Sequence, residues 1–543
     1  MTQSLATLDW LVIAFYITLL VGFAWWLSRR QESRVDYYVG GRNVHPWPVA
    51  MSIMATQCST NSILGAPAFV AFAAGGGLVW LQYELAVPLA MVALLLFVTP
   101  LFRQLQLISI YAYLEQRFDL KTRLTLSGLF LFIRAFATSV TVYSVAIVID
   151  LITGLGFVWS VILLGTFTIV YDVLGGIRGV IYSDVIQLTI LVSVLFLILY
   201  LLASSAGGLY EMLQQLEPER RQAIDFSAHG FGDGATFAFW PMLIGGFFLY
   251  VSYYGFDQSQ VQRTMSTRDI DGSNQALFLN GLLRFPVVLL YCLVGAGIAV
   301  YASNNPGFVA ALPDNNGSPE YNLAVPLYMI NVLPVGLVGL SMVALFAAAM
   351  SSLDSVLNSL SATTMEDFVR RFNRQSVWTD RKEILISRFI TMCWGIATLA
   401  MAFFVGDIAD TVLEAINQIG SLANGSILAV FALGLWTTNI RGGPAIVGMI
   451  TGMATNAYFW LFVPSVSWLW WNVIGFVMTF VVALCFNVLF STPNTVHATQ
   501  HQTASSGSGI TTFLGTVARI NWGRRSVLLL VWFVVLLALL WRI

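Results

Sequence analysis

Charged residues are scarce in this chain. Asp, Glu, Lys and Arg together make up 10% of the 543 residues, whereas about 25% is usual in soluble domains. Hydrophobic residues account for 58% of the sequence. Because so few charges could not cover the surface of a water-soluble protein of this size, the composition excludes a soluble fold and indicates a protein embedded in the bilayer.

Cysteine and histidine are also rare, with four residues each. The four cysteines fall inside apolar runs, so the sequence shows neither a disulfide framework nor a zinc-binding spacing. The four histidines fall in predicted loops, and no nucleophile–base motif or metal-ligand spacing occurs on neighbouring helical turns. We therefore expect a protein that is not an enzyme, and we expect no nucleic-acid partner.

Long apolar runs recur along the whole chain. A bilayer core of about 30 Å needs about 20 apolar residues per helix. The first run is expected to stay in the mature protein, because Arg29 and Arg30 follow it and no basic residue precedes it. We predict an all-α membrane protein with about 14 transmembrane helices, near residues 7–27, 46–74, 78–100, 123–152, 157–175, 183–203, 237–256, 276–302, 335–363, 383–405, 410–436, 443–465, 467–490 and 526–541.

The basic residues indicate the orientation and the domain plan. If the N-terminus is outside, 21 of the 26 Lys and Arg residues lie on the cytoplasmic side, as the positive-inside rule requires, while Arg134 and Arg284 fall within predicted spans. We therefore expect both termini outside, in the plasma (inner) membrane. No polar stretch is long enough to bury a core of its own, so we expect one membrane domain at 1–490, with a core at about 46–436, then a cytoplasmic linker at 491–525 and a peripheral helix at 526–543.

Two predicted spans contain polar residues and helix breakers at the depth of the bilayer centre. Residues 55–67 of the second span read ATQCSTNSILGAP, and residues 252–258 of the seventh read SYYGFDQ. Unwound backbone at this depth is tolerated only where it lines protein or a water-filled cavity, and broken helices of this kind carry the binding sites of many transporters. The alternative is a close helix–helix contact made by small residues.

The ninth span is unusually polar. Its residues Ala348, Ser351, Ser352 and Ser355 follow the i, i+3, i+4, i+7 spacing, so that one helix face offers a carbonyl and three hydroxyl oxygens to a cation. Asp354 lies one position further round and could hold a second ion or a proton. Helix packing by serines is the competing interpretation for each of these residues.

Four motifs in this order resemble the sodium:solute symporter family, which includes the sodium/glucose cotransporters, and the match extends over most of residues 7–490. They are DYYVGGR at 36–42, the segment from Gly175–Gly176 to Tyr182, Ser183, Asp184 and Gln187, YGFDQ at 254–258 leading to Gln262 and Arg263, and SSLDS at 351–355 leading to Ser361. The resemblance implies a membrane transport domain with a LeuT-like core of two inverted five-helix repeats, formed by spans two to six and seven to eleven, with peripheral helices around it.

The resemblance also implies sodium-coupled symport and the sites that serve it. A sodium site would use the carbonyls of Ala55, Cys58 and Ala348 and the hydroxyls of Ser351 and Ser352. A second cation site would use Asp184, Asp354 and Ser355. Asp354 departs from the sodium/glucose cotransporters and the bacterial sialic-acid symporters, which carry a hydroxyl residue there, and Asp184 is alternatively a helix N-terminal acid.

The resemblance places the solute against the second, third, seventh and eleventh spans, which here points to Gln57, Ser59, Ser62, Gln82, Glu84, Tyr250, Tyr253, Asn417 and Gln418. We expect a small organic solute taken up by alternating access; the alternatives are a neutral sugar or polyol, or a membrane sensor that does not transport.

Arg134 is a further candidate for the solute site. It stands eleven residues after Arg123, so at 1.5 Å per residue it lies about 16 Å along the helix, near the bilayer centre. A charged arginine there costs at least about 2.5 kcal/mol, which favours a functional or paired role. Arg134 is predicted either to bind an anionic group of the solute, such as a carboxylate, or to form a structural ion pair with Glu84.

Overall fold

The computed structural model describes residues 5–58, 60–315, 317–373, 378–405, 412–490 and 522–542, and within them the fold is helical. Strands are confined to a two-residue antiparallel pair, β1 (Asp314–Asn315) with β2 (Ser318–Pro319). The first eight helices, α1 to α8, are Thr7–Ser28, Arg34–Val39, Pro46–Gln57, Thr60–Phe72, Leu78–Leu105, Ala112–Arg117, Leu120–Thr153 and Phe157–Ser205.

The remaining helices complete the bundle. Helices α9 to α15 are Leu209–Gln215, Pro218–Arg221, Gly246–Phe256, Gln258–Thr264, Ile270–Asn304, Pro306–Ala310 and Ala324–Val332. Helices α16 to α21 are Leu337–Thr363, Asp380–Ala402, Val412–Trp436, Gly442–Phe462, Trp470–Phe490 and Trp522–Arg542. Most of the predicted linker at 491–525 lies outside the described residues, which resume at 522 in α21.

Eleven helices of the described residues are long and apolar enough to cross a membrane, so the predicted number of about fourteen is not confirmed. The numbers differ because helices and spans do not correspond one to one. The predicted spans 157–175 and 183–203 form one long helix, α8. The predicted spans 46–74 and 237–256 are built from shorter helices, which do not reach the length of a single crossing.

The second predicted span is interrupted, as its polar sequence indicates, and the polar segment 252–258 contains a second break at the end of the seventh span. Helix α3 ends at Gln57, and Cys58 has a non-helical backbone (φ −80°, ψ 57°) before α4 begins. Helix α4 runs through Gly65 and Pro67, so the break lies before these two residues and not at them. In the seventh span, α11 ends at Phe256 and Asp257 is extended before α12 begins.

Helix α8 kinks at Gly176, where φ is +55°. A Cβ at this position would lie 2.8 Å from the carbonyl oxygen of Tyr37, so both the backbone angle and the packing require glycine. The Gln31 amide donates to the carbonyls of Leu174 and Gly175, at 3.1 and 2.7 Å. The kink therefore keeps its freed carbonyls paired while it redirects the second half of α8 toward the molecule's centre.

Helix α16, which carries the predicted sodium ligands, is capped by a carboxylate from another helix. Asp9 of α1 accepts hydrogen bonds of 2.7 Å from the backbone N–H groups of Gly336 and Gly339, and its side chain is buried. A carboxylate at a helix N-terminus is favoured by the orphan N–H groups and by the helix dipole. The contact fixes the start of α16 against α1.

We expect Asp9→Ala to lower the free energy of unfolding by about 1.5–3 kcal/mol, the usual worth of a hydrogen bond to a charged group. Thermal unfolding in detergent checks this as a lower Tm. Asp150→Ala is the matched control, because Asp150 also accepts a backbone hydrogen bond of 2.7 Å, from Gly156, but in the last turn of α7, where the contact is exposed. An equal loss of Tm in both variants would contradict a special role for the Asp9 contact.

Candidate sodium sites and solute cavity

The four motifs that carry the resemblance meet in space. The hydroxyls of Tyr38 and Ser361 share a hydrogen bond of 2.8 Å, and the Gln262 side-chain amide donates to the Tyr38 carbonyl at 2.6 Å. Arg178 donates to the Gly40 carbonyl at 3.0 Å. Segments that are more than 300 residues apart in the chain thus form one polar region, which holds α2, α8, α12 and α16 together.

Four of the five predicted sodium ligands form a cluster of oxygens between α3 and α16. The Ser351 hydroxyl oxygen lies 3.0 Å from the Ala348 carbonyl oxygen and 3.3 Å from that of Ala55. The Ser352 hydroxyl oxygen lies 3.4 Å from the Ala348 carbonyl oxygen and 3.3 Å from that of Thr56. Thr56 was not predicted as a ligand, because nothing in the sequence distinguishes its carbonyl from those beside it.

The spacing of these oxygens suits a small hard cation. Two ligands about 2.4 Å from an ion and at right angles to each other lie about 3.4 Å apart. The observed separations of 3.0–3.4 Å are hydrogen bonds that the two serine hydroxyls donate to these carbonyls, and they hold the oxygens at nearly the spacing that an ion needs. The helix break at Cys58 explains why backbone carbonyls are available here at all, since a continuous α3–α4 helix would use them internally.

The fifth predicted ligand, Cys58, is held by α13. Its carbonyl lies 3.4 Å from the hydroxyl of Tyr291, and its sulfur lies 3.2 Å from a guanidinium nitrogen of Arg284. A carbonyl has two lone pairs, so the contact with Tyr291 leaves one for an ion. The structure therefore gives the Cys58 carbonyl a protein partner rather than a direct contact with the other four ligands.

The predicted second cation site contains a buried arginine that sequence reasoning did not place there. Arg263 is fully buried, and its guanidinium lies 3.5 Å from an Asp184 oxygen and donates to the hydroxyls of Ser52 and Ser355. Asp354 accepts from Ser355 at 3.0 Å. Among the described residues, Oδ1 of Asp184 and Oδ2 of Asp354 have no hydrogen-bond partner although both are buried.

Asp184 is therefore not an ordinary helix N-terminal acid. It follows the Gly176 kink by eight residues, has no exposed surface and accepts a 2.5 Å hydrogen bond from Ser52. The hydrogen bond links the second half of α8 to α3, the helix that also provides the Ala55 carbonyl.

A cavity of about 170 Å³ lies beside the oxygen cluster. Thr56 and Ser352 line it, so the cluster and the cavity share a wall. Seven of the ten residues predicted to contact the solute line this cavity: Gln57, Ser62, Glu84, Arg134, Tyr250, Tyr253 and Asn417.

The other three predicted solute residues are not on the cavity wall or cannot be placed. Gln82 is buried elsewhere, where its amide donates to the Phe237 carbonyl at 2.7 Å and accepts from the Asp225 N–H. Gln418 does not line the cavity, although the adjacent Asn417 does. Ser59 lies outside the described residues.

The predicted alternative of an Arg134–Glu84 ion pair is wrong, because each residue has another partner. Glu84 binds Arg284, with Nε 3.0 Å from Oε2, and Arg134 binds Asp257, with Nε 2.5 Å from Oδ2. Helix α13 packs against the start of α5, and this packing brings Arg284 to Glu84. The sequence showed both arginines to be unusual but not which acid lies opposite each.

Sequence reasoning missed several residues of the cavity wall. Asp257 and Arg284 were noticed, as part of a motif and as a span arginine, but neither was assigned to the solute. Aromatic residues Trp80, Tyr83 and Tyr111 were not assigned either, since aromatic residues at helical spacing usually mark ordinary packing.

The chain is similar to known sodium-coupled transporters. The profile of the Sodium:solute symporter family matches residues 37–452. The sodium/sialic acid symporter NanT of Aliivibrio fischeri is 29% identical over 88% of this chain and 93% of its own length. Sodium-coupled monocarboxylate transporter 2 of Bos taurus is 28% identical over 84% of this chain and 73% of its own.

Solved structures show the same fold. A Na⁺-coupled sialic acid symporter in a substrate-bound outward-open state superposes with a TM-score of 0.79 and 24% identity, covering 90% of this chain and all of that one. Mhp1, a nucleobase-cation-symport-1 family transporter, superposes with a TM-score of 0.53 and 14% identity, covering 84% and 95% of the two chains. These likenesses support the predicted LeuT-like architecture.

Proposed function

The chain belongs to the sodium:solute symporter family, and from this membership we propose that it carries a small organic anion, such as a carboxylate, into the cell together with sodium. It is a multi-pass membrane transporter and not an enzyme, and sodium is its coupling ion. Relatives named for sialic acid and for monocarboxylates both carry acidic solutes, which favours an anion over a neutral sugar.

The position of Arg134 is the main observation in favour of an anionic substrate. Arg134 lines the cavity with 19% of its side chain exposed, and its guanidinium lies 4.9 Å from the centre of the Tyr253 ring. A guanidinium has five N–H donors. One oxygen of Asp257 accepts from two of its nitrogens, while the other oxygen accepts from Ser259.

The remaining donors of Arg134 suit a bidentate contact with a carboxylate. Arg284 is a poorer candidate for this role. Its three nitrogens contact Glu84 and Cys58, and only 7% of its side chain is exposed.

We assign sodium to the carbonyls of Ala55, Cys58 and Ala348 and the hydroxyls of Ser351 and Ser352. The 3.0–3.4 Å separations among four of these residues support the assignment. Because Ser352 also lines the solute cavity, sodium binding would order one wall of the solute site. This shared wall gives a direct physical route for coupling the two binding events.

Uptake by the purified full-length protein in proteoliposomes tests the function. We expect radiolabelled small carboxylates to accumulate under an inward sodium gradient and not under a matched potassium gradient. Unlabelled carboxylates should compete, whereas neutral sugars and polyols should not. Saturable binding without accumulation would identify a sensor instead, and sodium-driven accumulation of a sugar that carboxylates do not inhibit would overturn the anionic substrate.

We also propose that a second cation binds at Asp184, Asp354 and Ser355. The two carboxylates and Arg263 sum to one negative charge, which one more sodium ion would neutralise. Stoichiometry matters because one sodium with a monovalent anion moves no net charge. With two sodium ions, each cycle moves one positive charge, worth about 2.3 kcal/mol per 100 mV.

We expect wild-type uptake to be electrogenic, with a Hill slope for sodium near two. Asp184→Asn should bring the slope near one and remove the solute-induced current, measured on a solid-supported membrane. Asp150→Asn is the control, since Asp150 lies in the last turn of α7, outside the solute cavity and both predicted cation sites. An unchanged slope and current in Asp184→Asn would show that Asp184 has only a structural role.

The orientation completes the proposal. We place both termini outside, in the plasma (inner) membrane, on the excess of Lys and Arg in the predicted cytoplasmic loops. Labelling of cysteines introduced near residues 5 and 542 with a membrane-impermeant maleimide on intact cells tests this placement. Labelling only after permeabilisation would place the termini inside the cell instead.

A further inference from the structure

A second cavity, separate from the solute cavity, lies between α1 and α7 at the end of the bundle that carries the N-terminus. Its volume is about 300 Å³. Residues Trp10, Ile13, Ala14 and Ile17 of α1 form one wall, at the i, i+3, i+4, i+7 spacing of a single helix face. We call this cavity the α1–α7 cleft.

The opposite wall repeats the same pattern. Val145, Val148, Ile149 and Ile152 of α7 face the cleft with an equivalent helical spacing. Two apolar helix faces thus stand opposite each other without filling the space between them. The floor is formed by Met342, Leu345 and Phe346 of α16, together with Thr60 of α4.

The lining of the cleft is almost entirely apolar. No charged residue is among the lining residues that the structure describes, and its only polar ones are three threonines. Each threonine hydroxyl donates to a backbone carbonyl: Thr18 to Ala14 at 2.8 Å, Thr60 to Leu345 at 3.1 Å and Thr153 to Ile149 at 2.7 Å. The donors are therefore already used within the protein.

A cleft of this size and chemistry favours an apolar occupant. Its volume would hold about ten water molecules, but apolar cavities without polar partners stay dry and accept apolar guests. The mouth lies along α1, a membrane-spanning helix, where Trp10 is 40% exposed, while Met342 on the floor is 2% exposed. Because α1 is long and apolar enough to cross a membrane, its exposed side is expected to face lipid.

We propose that the α1–α7 cleft binds an acyl chain of a membrane phospholipid. The chain enters from the bilayer past Trp10 and Ala14 and reaches the floor formed by α16 and α4. Its binding brings the acyl chain into contact with both walls, and the gain is the dispersion attraction between closely packed apolar groups.

The floor connects this site to the transport machinery. Leu345 precedes Ala348 by three residues on α16, and its carbonyl accepts the hydroxyl of Thr60, near the start of α4. A bound chain therefore contacts α16, which carries three of the predicted sodium ligands, and the first residue of α4, two positions after Cys58. Because a ligand favours the conformation in which its site exists, the lipid stabilises the arrangement of α4 and α16 described here.

Photolabelling in a bilayer tests the proposal without requiring transport. The full-length protein is reconstituted in phosphatidylcholine vesicles that contain increasing mole fractions of a phosphatidylcholine with a diazirine on one acyl chain. After irradiation, adducts are mapped by peptide mass spectrometry. We expect labelling of the cleft faces, at 10–17 and 145–152, to saturate at a low mole fraction, whereas labelling of ordinary lipid-facing surfaces rises in proportion to the probe.

Variants that fill the cleft provide the decisive comparison. Ala14→Phe from one wall and Val148→Phe from the other should each abolish the saturable labelling. Leu11→Phe is the matched control, because Leu11 is 61% exposed on α1 but does not line the cleft. Two variants from opposite walls guard against loss of folding, which thermal unfolding of each variant monitors.

Two results would overturn the proposal. In the first, labelling of the cleft faces rises in proportion to the probe, as it does on ordinary lipid-facing surfaces. In the second, labelling saturates but both filling variants leave it unchanged.

Discussion

Replacing Ser352 by alanine is expected to raise the sodium concentration for half-maximal uptake by at least about tenfold, which corresponds to about 1.4 kcal/mol. The Ser352 hydroxyl oxygen lies 3.3–3.4 Å from the carbonyl oxygens of Thr56 and Ala348, so its removal deletes one ligand from the cluster. Sodium titration of uptake in proteoliposomes measures the effect. Maximal uptake at saturating sodium should change much less than the sodium requirement.

Ser359→Ala is the matched control for this prediction. Ser359 is a buried serine of the same helix, and its hydroxyl donates to the Val356 carbonyl at 2.8 Å, away from the cluster. Its loss should leave the sodium requirement within about twofold of wild type, since a twofold change is less than 0.5 kcal/mol. If Ser352→Ala also transports normally at low sodium, the sodium assignment is wrong.

Replacing Arg134 by glutamine is expected to weaken solute affinity by about ten- to hundredfold, as loss of hydrogen bonds to a charged group implies. The sodium requirement at saturating solute should stay unchanged, because Arg134 lies on the cavity wall and contacts none of the sodium ligands in the described structure. Concentration dependence of carboxylate uptake, measured at fixed high sodium, gives the affinity. Arg134→Lys keeps the charge but loses the planar fork, so it should fall between wild type and Arg134→Gln.

The ion pair with Asp257 allows a test of whether Arg134 has only a structural role. Removing Arg134 alone leaves Asp257 with an uncompensated charge, and this by itself could impair folding. The double variant Arg134→Gln/Asp257→Asn removes both charges together. If the double variant recovers both folding and wild-type solute affinity, Arg134 serves only the pair; if it folds but binds solute weakly, Arg134 contacts the solute.

Local chemistry explains what could be predicted from the sequence. Apolar length alone identified a helical membrane protein. Helix periodicity placed Ala348, Ser351 and Ser352 on one face of α16, and the structure brings their oxygens together. Polar residues in two apolar spans marked both interrupted helices, although the break came at Cys58 and not at Gly65–Pro67. The break depends on ψ at Cys58, which no residue-type preference specifies.

Only the tertiary structure decided which groups face each other across helices. The sequence marked Arg134 and Arg284 as costly charges within spans, but helix packing paired them with Asp257 and Glu84. Arg263 was known as a motif residue, and only the approach of α12 to α3, α8 and α16 placed it beside Asp184. The cost of burying a charge depends on one residue and its depth in the membrane, so it can be estimated from the sequence of a single helix. An ion pair depends on the distance between two helices, which only the tertiary structure determines.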